Sequence, residues 1–161
     1  MTSFIHLSDE RSLRMIARTG IKMGKLRDGS KGVFVVPITA DYMVTHQWAR
    51  ELKRKGMKSL VCIQFRVPDD EIVSIGKYNG IKLNMTSAEA LNTVASHCDP
   101  MGLEVIIRRK IAPMEIYRTY PAPRLVGWRY YPTAKGRKPF CHCKYCNCSE
   151  IRAQRLIRED G

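Results

Sequence analysis

The chain has 161 residues, of which 28 are Lys or Arg and 15 are Asp or Glu, giving a formal net charge of +13. A hydrophobic fraction of 44% excludes a wholly disordered chain, and no apolar run approaches the roughly 18 residues of a membrane-spanning helix. The N-terminus lacks a basic-then-apolar export signal, and six cysteines in such a chain indicate a reducing compartment. We therefore expect a cytoplasmic protein with no membrane partner.

The positive charge is unevenly distributed. Residues 1–31 carry seven cationic and three acidic side chains, whereas residues 32–104 carry eight of each. Residues 105–123 carry four against one, and residues 124–161 carry nine against three. The middle of the chain is thus neutral and both ends are basic, which favours a polyanionic partner that binds to the surface formed by the two ends. The alternative is that the charge serves only to keep the protein soluble.

The first half of the chain predicts strands alternating with helices. A short apolar strand ends near Leu7, and Ser8 is placed to cap a helix that stops at Gly20. The β-branched run GVFVVPI, residues 32–38, predicts a buried strand. Thr39 is placed to cap a second helix that runs to about Lys55.

The second half continues the alternation. Leu60–Val67 has period 2, which predicts a strand with Val61, Ile63, Phe65 and Val67 on one face. A third helix is expected from Ser87 to His97, then a strand over Leu103–Arg109, then an extended linker near Tyr120. We predict an α+β domain over residues 1–123 and a basic, cysteine-rich extension over residues 124–161.

Two side chains in this pattern stand out chemically. Glu104 interrupts an apolar strand and points away from the face shared by Leu103, Val105 and Ile107. Burying a carboxylate costs several kcal/mol unless a partner compensates it. Glu104 therefore lies either on the wet face of an edge strand or in a functional site. His6 ends the first strand, where a structural role is the more common one for a lone histidine.

The order of these segments resembles the ADP-ribosyltransferase superfamily. FIHLSDERSLRMIARTGIK, GVFVVPITADYMVTHQWARELKRKG, LVCIQFRVPDDEI and GLEVIIRRKIAPMEI follow one another within residues 3–118. Within the superfamily, the opening segment looks most like the DNA-modifying toxins and the RNA 2′-phosphotransferases. The signature positions are a His on the first strand, an aromatic residue (usually Tyr) on a strand that begins with Gly, and a Glu on a later strand. They fall on His6, Phe34 and Glu104. The resemblance implies a split β-sheet core with flanking helices.

The resemblance also implies that NAD is a substrate and assigns residues to it. His6 would hydrogen-bond the nicotinamide ribose, the backbone of Leu7 would hold the carboxamide, and Ser8 would add a hydroxyl contact. Phe34 and Tyr42 would wall the nicotinamide ring. Phe34 lacks the hydroxyl of the usual Tyr, so the apolar wall is kept and any polar contact at that position is lost.

Glu104 would be the catalytic carboxylate, together with His6. Cleavage of the glycosidic bond of NAD develops an oxocarbenium-like charge, which a fixed carboxylate stabilises. The same group would orient or deprotonate the acceptor.

A second constellation lies near the C-terminus. Four thiols, Cys141, Cys143, Cys146 and Cys148, fall within eight residues, and Cys-x-x-Cys at 143 and 146 is a common zinc spacing. We predict one structural zinc ion held by these four. A site in which His142 replaces one thiol, a redox pair, and a site completed by Cys62, Cys98 or His97 are the alternatives.

Aromatic residues interleave with the nine cations of residues 124–161, at Trp128, Tyr130 and Tyr131. This pattern suits single-stranded nucleic acid, whose bases stack and whose phosphates pair with Lys and Arg. The function expected is therefore NAD-dependent transfer of ADP-ribose to DNA or RNA. The alternatives are a non-catalytic, zinc-containing nucleic-acid-binding module and an ADP-ribosyltransferase that acts on a protein.

Overall fold

The computed structural model describes residues 1–123, and the predicted zinc ligands and basic extension lie outside these residues. The strands are β1 (Thr2–Asp9), β2 (Gly24–Lys25), β3 (Lys31–Pro37), β4 (Leu60–Val67), β5 (Ile72–Lys77), β6 (Leu83–Thr86), β7 (Leu103–Ile107) and β8 (Ile116–Pro121). The helices are α1 (Leu13–Thr19), α2 (Tyr42–Thr45), α3 (Ala49–Arg54) and α4 (Ser87–Ser96). The predicted α+β class is confirmed. None of the helices within residues 1–123 is long and apolar enough to cross a bilayer.

One antiparallel sheet organises the described chain. Its strand order is β6-β5-β7-β3-β1-β4-β8, with β2 paired to β3 beside this path. The two halves of the sheet meet at β3, which pairs with β1 only through Val36 and Pro37 and with β7 through Val33–Val35. Gly32 permits the close approach to β7, because a Cβ there would lie 2.5 Å from the Ile106 Cγ2.

Each face of the sheet covers its own apolar cluster. The face that carries Val61, Ile63, Phe65 and Val67 packs in one cluster with Ile16 of α1 and with Ala90 and Val94 of α4. The opposite face carries Ile5, Leu7, Val36 and Cys62, which pack against Ala49 and Leu52 of α3. The predicted bounds of β4, Leu60–Val67, are confirmed, and the four residues predicted to share one face are all buried.

The first helix begins later than predicted. Ser8 belongs to β1, where it is paired with Val61, so it does not cap a helix. Asp9 takes that role, since its carboxylate accepts from the Arg11 amide at 2.9 Å and caps a short 3-10 turn over Glu10–Ser12.

The second predicted helix is divided in two. Asp41, rather than Thr39, caps α2, which ends at Thr45 with His46 as its C-cap, and α3 starts again at Ala49. At the break, the His46 ring and the buried Gln47 side chain donate to the carbonyls of Tyr42 and Val44 at 2.9 and 3.1 Å, beside the backbone amides of the same two residues, which donate to the same carbonyls. The two side chains are also fixed by distant partners, His46 by Tyr120 and Gln47 by Gly102.

Four strands were not predicted: β2, β5, β6 and β8. β5 and β6 form a hairpin around Asn79-Gly80, and Asn79 has a positive φ of 59°. An Asn-Gly pair between short strands is a strong hairpin signal. β8 occupies the stretch read as a linker and pairs with β4 from Val61 to Phe65.

Candidate functional site

His6 lies where β1 and β3 stop pairing. The paired register of these strands runs from Phe4 opposite Pro37 to Ile5 opposite Val36 and ends there. One residue further along β1, the Nδ1 of His6 donates to the carbonyl oxygen of Phe34 at 2.8 Å. A side chain therefore joins the two strands beyond the last backbone pair.

The backbone of Leu7 faces the same gap. The Ile38 amide donates to the Ser3 carbonyl at 3.0 Å, which fixes the hydrogen-bonded positions of this antiparallel pair. Such positions recur at every second residue, so the N–H and C=O of Leu7 point towards β3 opposite Phe34. If the pairing continued, the Leu7 amide would donate to the Phe34 carbonyl oxygen. The imidazole of His6 donates to that oxygen instead.

The hydrogen bond also sets the chemistry of the imidazole. A carbonyl only accepts, so Nδ1 carries the proton and the Nε2 of the neutral ring has a free lone pair. Burial lowers the pKa of His6 and so favours the neutral ring. The bond to Phe34 acts in the opposite direction but does not outweigh burial. Within residues 1–123, Nε2 has no hydrogen-bond partner. Nε2 can therefore accept a hydrogen bond from a hydroxyl group.

Phe34 presents a partly exposed aromatic ring on the next strand. Its side chain is 44% exposed, whereas its neighbours Val33 and Val35 are buried on the opposite face. Phe34 is directly opposite Ile106 of β7. Residues two apart on a strand share a face, so Glu104 lies on the same face as Phe34, and diagonal neighbours of this kind are about 7–8 Å apart.

Glu104 is partly buried and paired. Its Oε2 lies 2.9 Å from the Nζ of Lys82, and the two side chains are 16% and 18% exposed. Lys82 also donates to the carbonyls of Lys77 at 2.7 Å and Gly80 at 3.3 Å. The predicted orientation of Glu104, away from its apolar neighbours, is confirmed, whereas its pairing with Lys82 was not predicted.

The hairpin that carries Lys82 closes tightly on β5. Gly76, which is opposite Glu104 in the β5–β7 register, would place a Cβ 2.2 Å from the Ile81 carbonyl oxygen. Only a residue without a side chain allows the turn to fold over β5 in this way. Gly76 therefore helps to hold Lys82 in front of the carboxylate.

Tyr42 and Ser8 are the remaining residues that the resemblance assigns to NAD. Tyr42 is the first residue of α2 and is 58% exposed, and its ring contacts the His46 ring with 4.3 Å between centroids. Ser8 lies two residues beyond His6 on the same face of β1 and is half-buried. The roles of Tyr42 and Ser8 towards NAD stay predictions.

A buried polar network that the sequence analysis missed lies beneath Tyr42. His46 donates from Nδ1 to the Tyr42 carbonyl, so its Nε2 accepts from the Tyr120 hydroxyl at 2.7 Å. Burial lowers the pKa of His46 and raises the pKa of Tyr120 above its usual range. Burial also raises the pKa of the Cys62 thiol to about 11, against the effect of its bond to Tyr120. All three groups are therefore neutral at pH 7.

The described residues contain no cluster of three or more His, Cys, Asp or Glu side chains suited to a metal ion. Cys62 is buried and Cys98 is exposed, and both are free thiols. The zinc site predicted on Cys141, Cys143, Cys146 and Cys148 lies outside these residues and stays a prediction.

Comparisons of the chain with protein-family models, curated proteins and solved structures return no match.

Proposed function

We propose that the protein is an NAD-dependent ADP-ribosyltransferase with a nucleic acid as acceptor. One observation carries the proposal: His6, Phe34 and Glu104 lie on the three adjacent strands β1, β3 and β7, where the two halves of the sheet meet. These residues are separated by 28 and 70 positions in the sequence. In the register of the sheet, Phe34 and Glu104 share one face, whereas His6 shares the opposite face with Ile63 and reaches the gap between β1 and β3 through its bond to the Phe34 carbonyl oxygen. This arrangement around the gap supports a site for one small substrate.

The chemistry of each group suits a role in glycosidic cleavage. The free Nε2 of His6 would accept from a ribose hydroxyl, because Nδ1 is committed to Phe34. The N–H and C=O of Leu7 would pair with the oxygen and nitrogen of a carboxamide, which needs both an acceptor and a donor. Phe34 offers an exposed ring against which nicotinamide would stack.

Glu104 would act on the developing charge. The bond from the anomeric carbon to the nicotinamide nitrogen breaks, its electron pair leaves with nicotinamide, and the sugar becomes oxocarbenium-like. A nitrogen or oxygen of the acceptor then bonds to the anomeric carbon, and its proton passes to Glu104 or to water. Lys82 would serve as a positioning residue that fixes the carboxylate.

The pairing of Glu104 with Lys82 also favours a second candidate function. A carboxylate already bonded to an ammonium at 2.9 Å is partly neutralised, so it stabilises a second cation less. The protein would then be a nucleic-acid-binding module that does not turn NAD over.

Mass spectrometry separates the two functions. The full chain is incubated with NAD and, in separate reactions, with single-stranded DNA, RNA or a protein mixture. The proposal expects nicotinamide release and the added mass of one ADP-ribose on a nucleic acid. An adduct on protein alone would reassign the acceptor, and nucleic-acid binding without nicotinamide release would favour the non-catalytic module.

A further inference from the structure

We infer that a strip of arginine and tyrosine side chains on β4 and β8 binds a single strand of nucleic acid. The arginine–tyrosine strip consists of Arg66, Tyr117, Arg118 and Tyr120. The acceptor of the proposed reaction would thus be single-stranded and would dock on this strip. Only the modification of the bound strand rests on the proposed function; the binding does not.

The strip is built from two cation–aromatic pairs. The Arg66 guanidinium carbon lies 4.5 Å from the centre of the Tyr117 ring, and that of Arg118 lies 5.2 Å from the centre of the Tyr120 ring. In each pair the guanidinium carbon lies over the ring of a tyrosine. A planar guanidinium of this kind is a stacking surface for a base.

The two pairs follow one another along the sheet. Arg118 is opposite Gln64, and Tyr120 is opposite Cys62. Gln64 and Cys62 share a face of β4 with Arg66, because they lie two and four residues before it. The strip therefore extends over about 13 Å of strand, at about 3.3 Å per residue.

The cations of the strip are available to phosphates. Arg66 and Arg118 are exposed, and within residues 1–123 neither forms an ion pair with a carboxylate. By contrast, Arg109 is held between the carboxylates of Glu71 and Glu115 at 2.7 and 2.6 Å. The charge of the strip is thus not neutralised by the domain itself.

A cavity beside Tyr117 offers hydrogen-bonding groups next to the stacking surface. Its volume is about 590 Å³, and its walls include Ser3, Gln64 and Asn92. Asp69 also lines it, but this carboxylate is paired with the N-terminal ammonium at 2.6 Å. Neutral amides and hydroxyls suit the edges of unpaired bases, which a duplex does not present.

The other end of the strip is linked to Tyr42. The Tyr120 hydroxyl bonds to His46, whose ring contacts the exposed ring of Tyr42. The residue expected to contact nicotinamide is therefore two side-chain contacts from the strip. This continuity, the free cations and the stacking surfaces together favour a single strand over a duplex or an acidic peptide.

The test measures binding without NAD. Fluorescence anisotropy follows the full chain with labelled oligothymidylate of about twelve nucleotides, the length range of single-strand sites. The double variant Arg66→Gln/Arg118→Gln is compared with Lys22→Gln/Lys58→Gln, which removes the same charge from two exposed lysines elsewhere. Competitors are a duplex of equal length and a polyglutamate peptide.

We expect the arginine variant to bind about tenfold more weakly, because stacking contributes about 1–3 kcal/mol per base and 1.4 kcal/mol is tenfold. Its log–log salt slope should shrink by about 1.4, or 0.7 for each of two phosphate contacts. The lysine variant should change affinity less than about twofold. Neither competitor should displace the single strand at equal concentration.

If the arginine and lysine variants lose the same affinity for the oligonucleotide, the loss reflects net charge alone, and the inference is overturned. Unchanged binding in the arginine variant would place the site elsewhere on the chain, and displacement by polyglutamate would replace nucleic acid with an acidic peptide. NAD hydrolysis is measured separately on the same variants. If the arginine variant hydrolyses NAD normally but binds the strand more weakly, the inference about the strip is supported. If neither the wild type nor any variant hydrolyses NAD, while binding still depends on the two arginines, only the enzymatic proposal is contradicted.

Discussion

Replacing Glu104 with glutamine tests the proposed chemistry most directly. Glu104→Gln keeps the shape of the side chain and an oxygen that accepts from Lys82, but it removes the negative charge. If the carboxylate stabilises an oxocarbenium-like transition state, the loss falls on turnover rather than on binding of NAD.

The expected magnitudes separate the catalytic effect from an effect on stability. Removing one preorganised electrostatic group from an active site lowers kcat by about 10²–10³, which corresponds to about 2.7–4 kcal/mol. The cost in unfolding free energy should be about 1–2 kcal/mol, because the pair is only partly exposed and Lys82 keeps its carbonyl partners. A stability of 5–15 kcal/mol tolerates that loss.

Nicotinamide release measured by chromatography gives kcat and KM for Glu104→Gln, and urea unfolding gives its stability. Asp70→Asn is the matched control, since Asp70 is an exposed carboxylate outside the site. A folded Glu104→Gln protein with unchanged kcat would refute the role of Glu104. A loss of activity that tracks unfolding in both variants would refute it equally.

Other predictions concern the parts that hold the site in place. Gln47→Leu should lower the unfolding free energy by about 2–4 kcal/mol in urea, because a buried amide and a buried carbonyl lose their partner; a loss below 1 kcal/mol would contradict this. Burial alone would raise the pKa of Glu115, but the bonds from Arg109 and from the Ala112 amide together outweigh it, so the pKa is lowered. The contribution of Glu115 to stability is present above the unfolded pKa, about 4.3, and is lost as pH falls through the lower folded value. The thermal midpoint of Arg109→Met should therefore lie below that of the wild type at pH 7 and approach it as the pH falls below the folded value, and a constant gap would disprove the linkage. At pH 8, iodoacetamide should modify the exposed Cys98 in peptide mapping but leave Cys62 intact until urea is added, because burial raises the pKa of the Cys62 thiol to about 11; equal labelling of both in the native protein would rule this out.

Local periodicity made part of the fold predictable. The alternation in Leu60–Val67 specifies a strand and its buried face, and the β-branched run after Gly32 specifies a buried strand, so both β4 and β3 were predicted within a few residues. The same reasoning placed Glu104 away from its apolar neighbours. It failed for the helix after Thr39, because the buried side chains of His46 and Gln47 at the break bond to distant partners, Tyr120 and Gly102, which the local hydrophobic pattern does not report.

What the sequence determined by itself was therefore local: the α+β class, the faces of the strands and the residue types able to do chemistry. Only the tertiary structure decided which of them meet. It paired β3 with both β1 and β7, brought Lys82 to Glu104, and joined His46 to Tyr120 across 74 positions. The physical reason is that strand pairing and burial depend on contacts between distant segments, whereas periodicity reports only on neighbours in the chain.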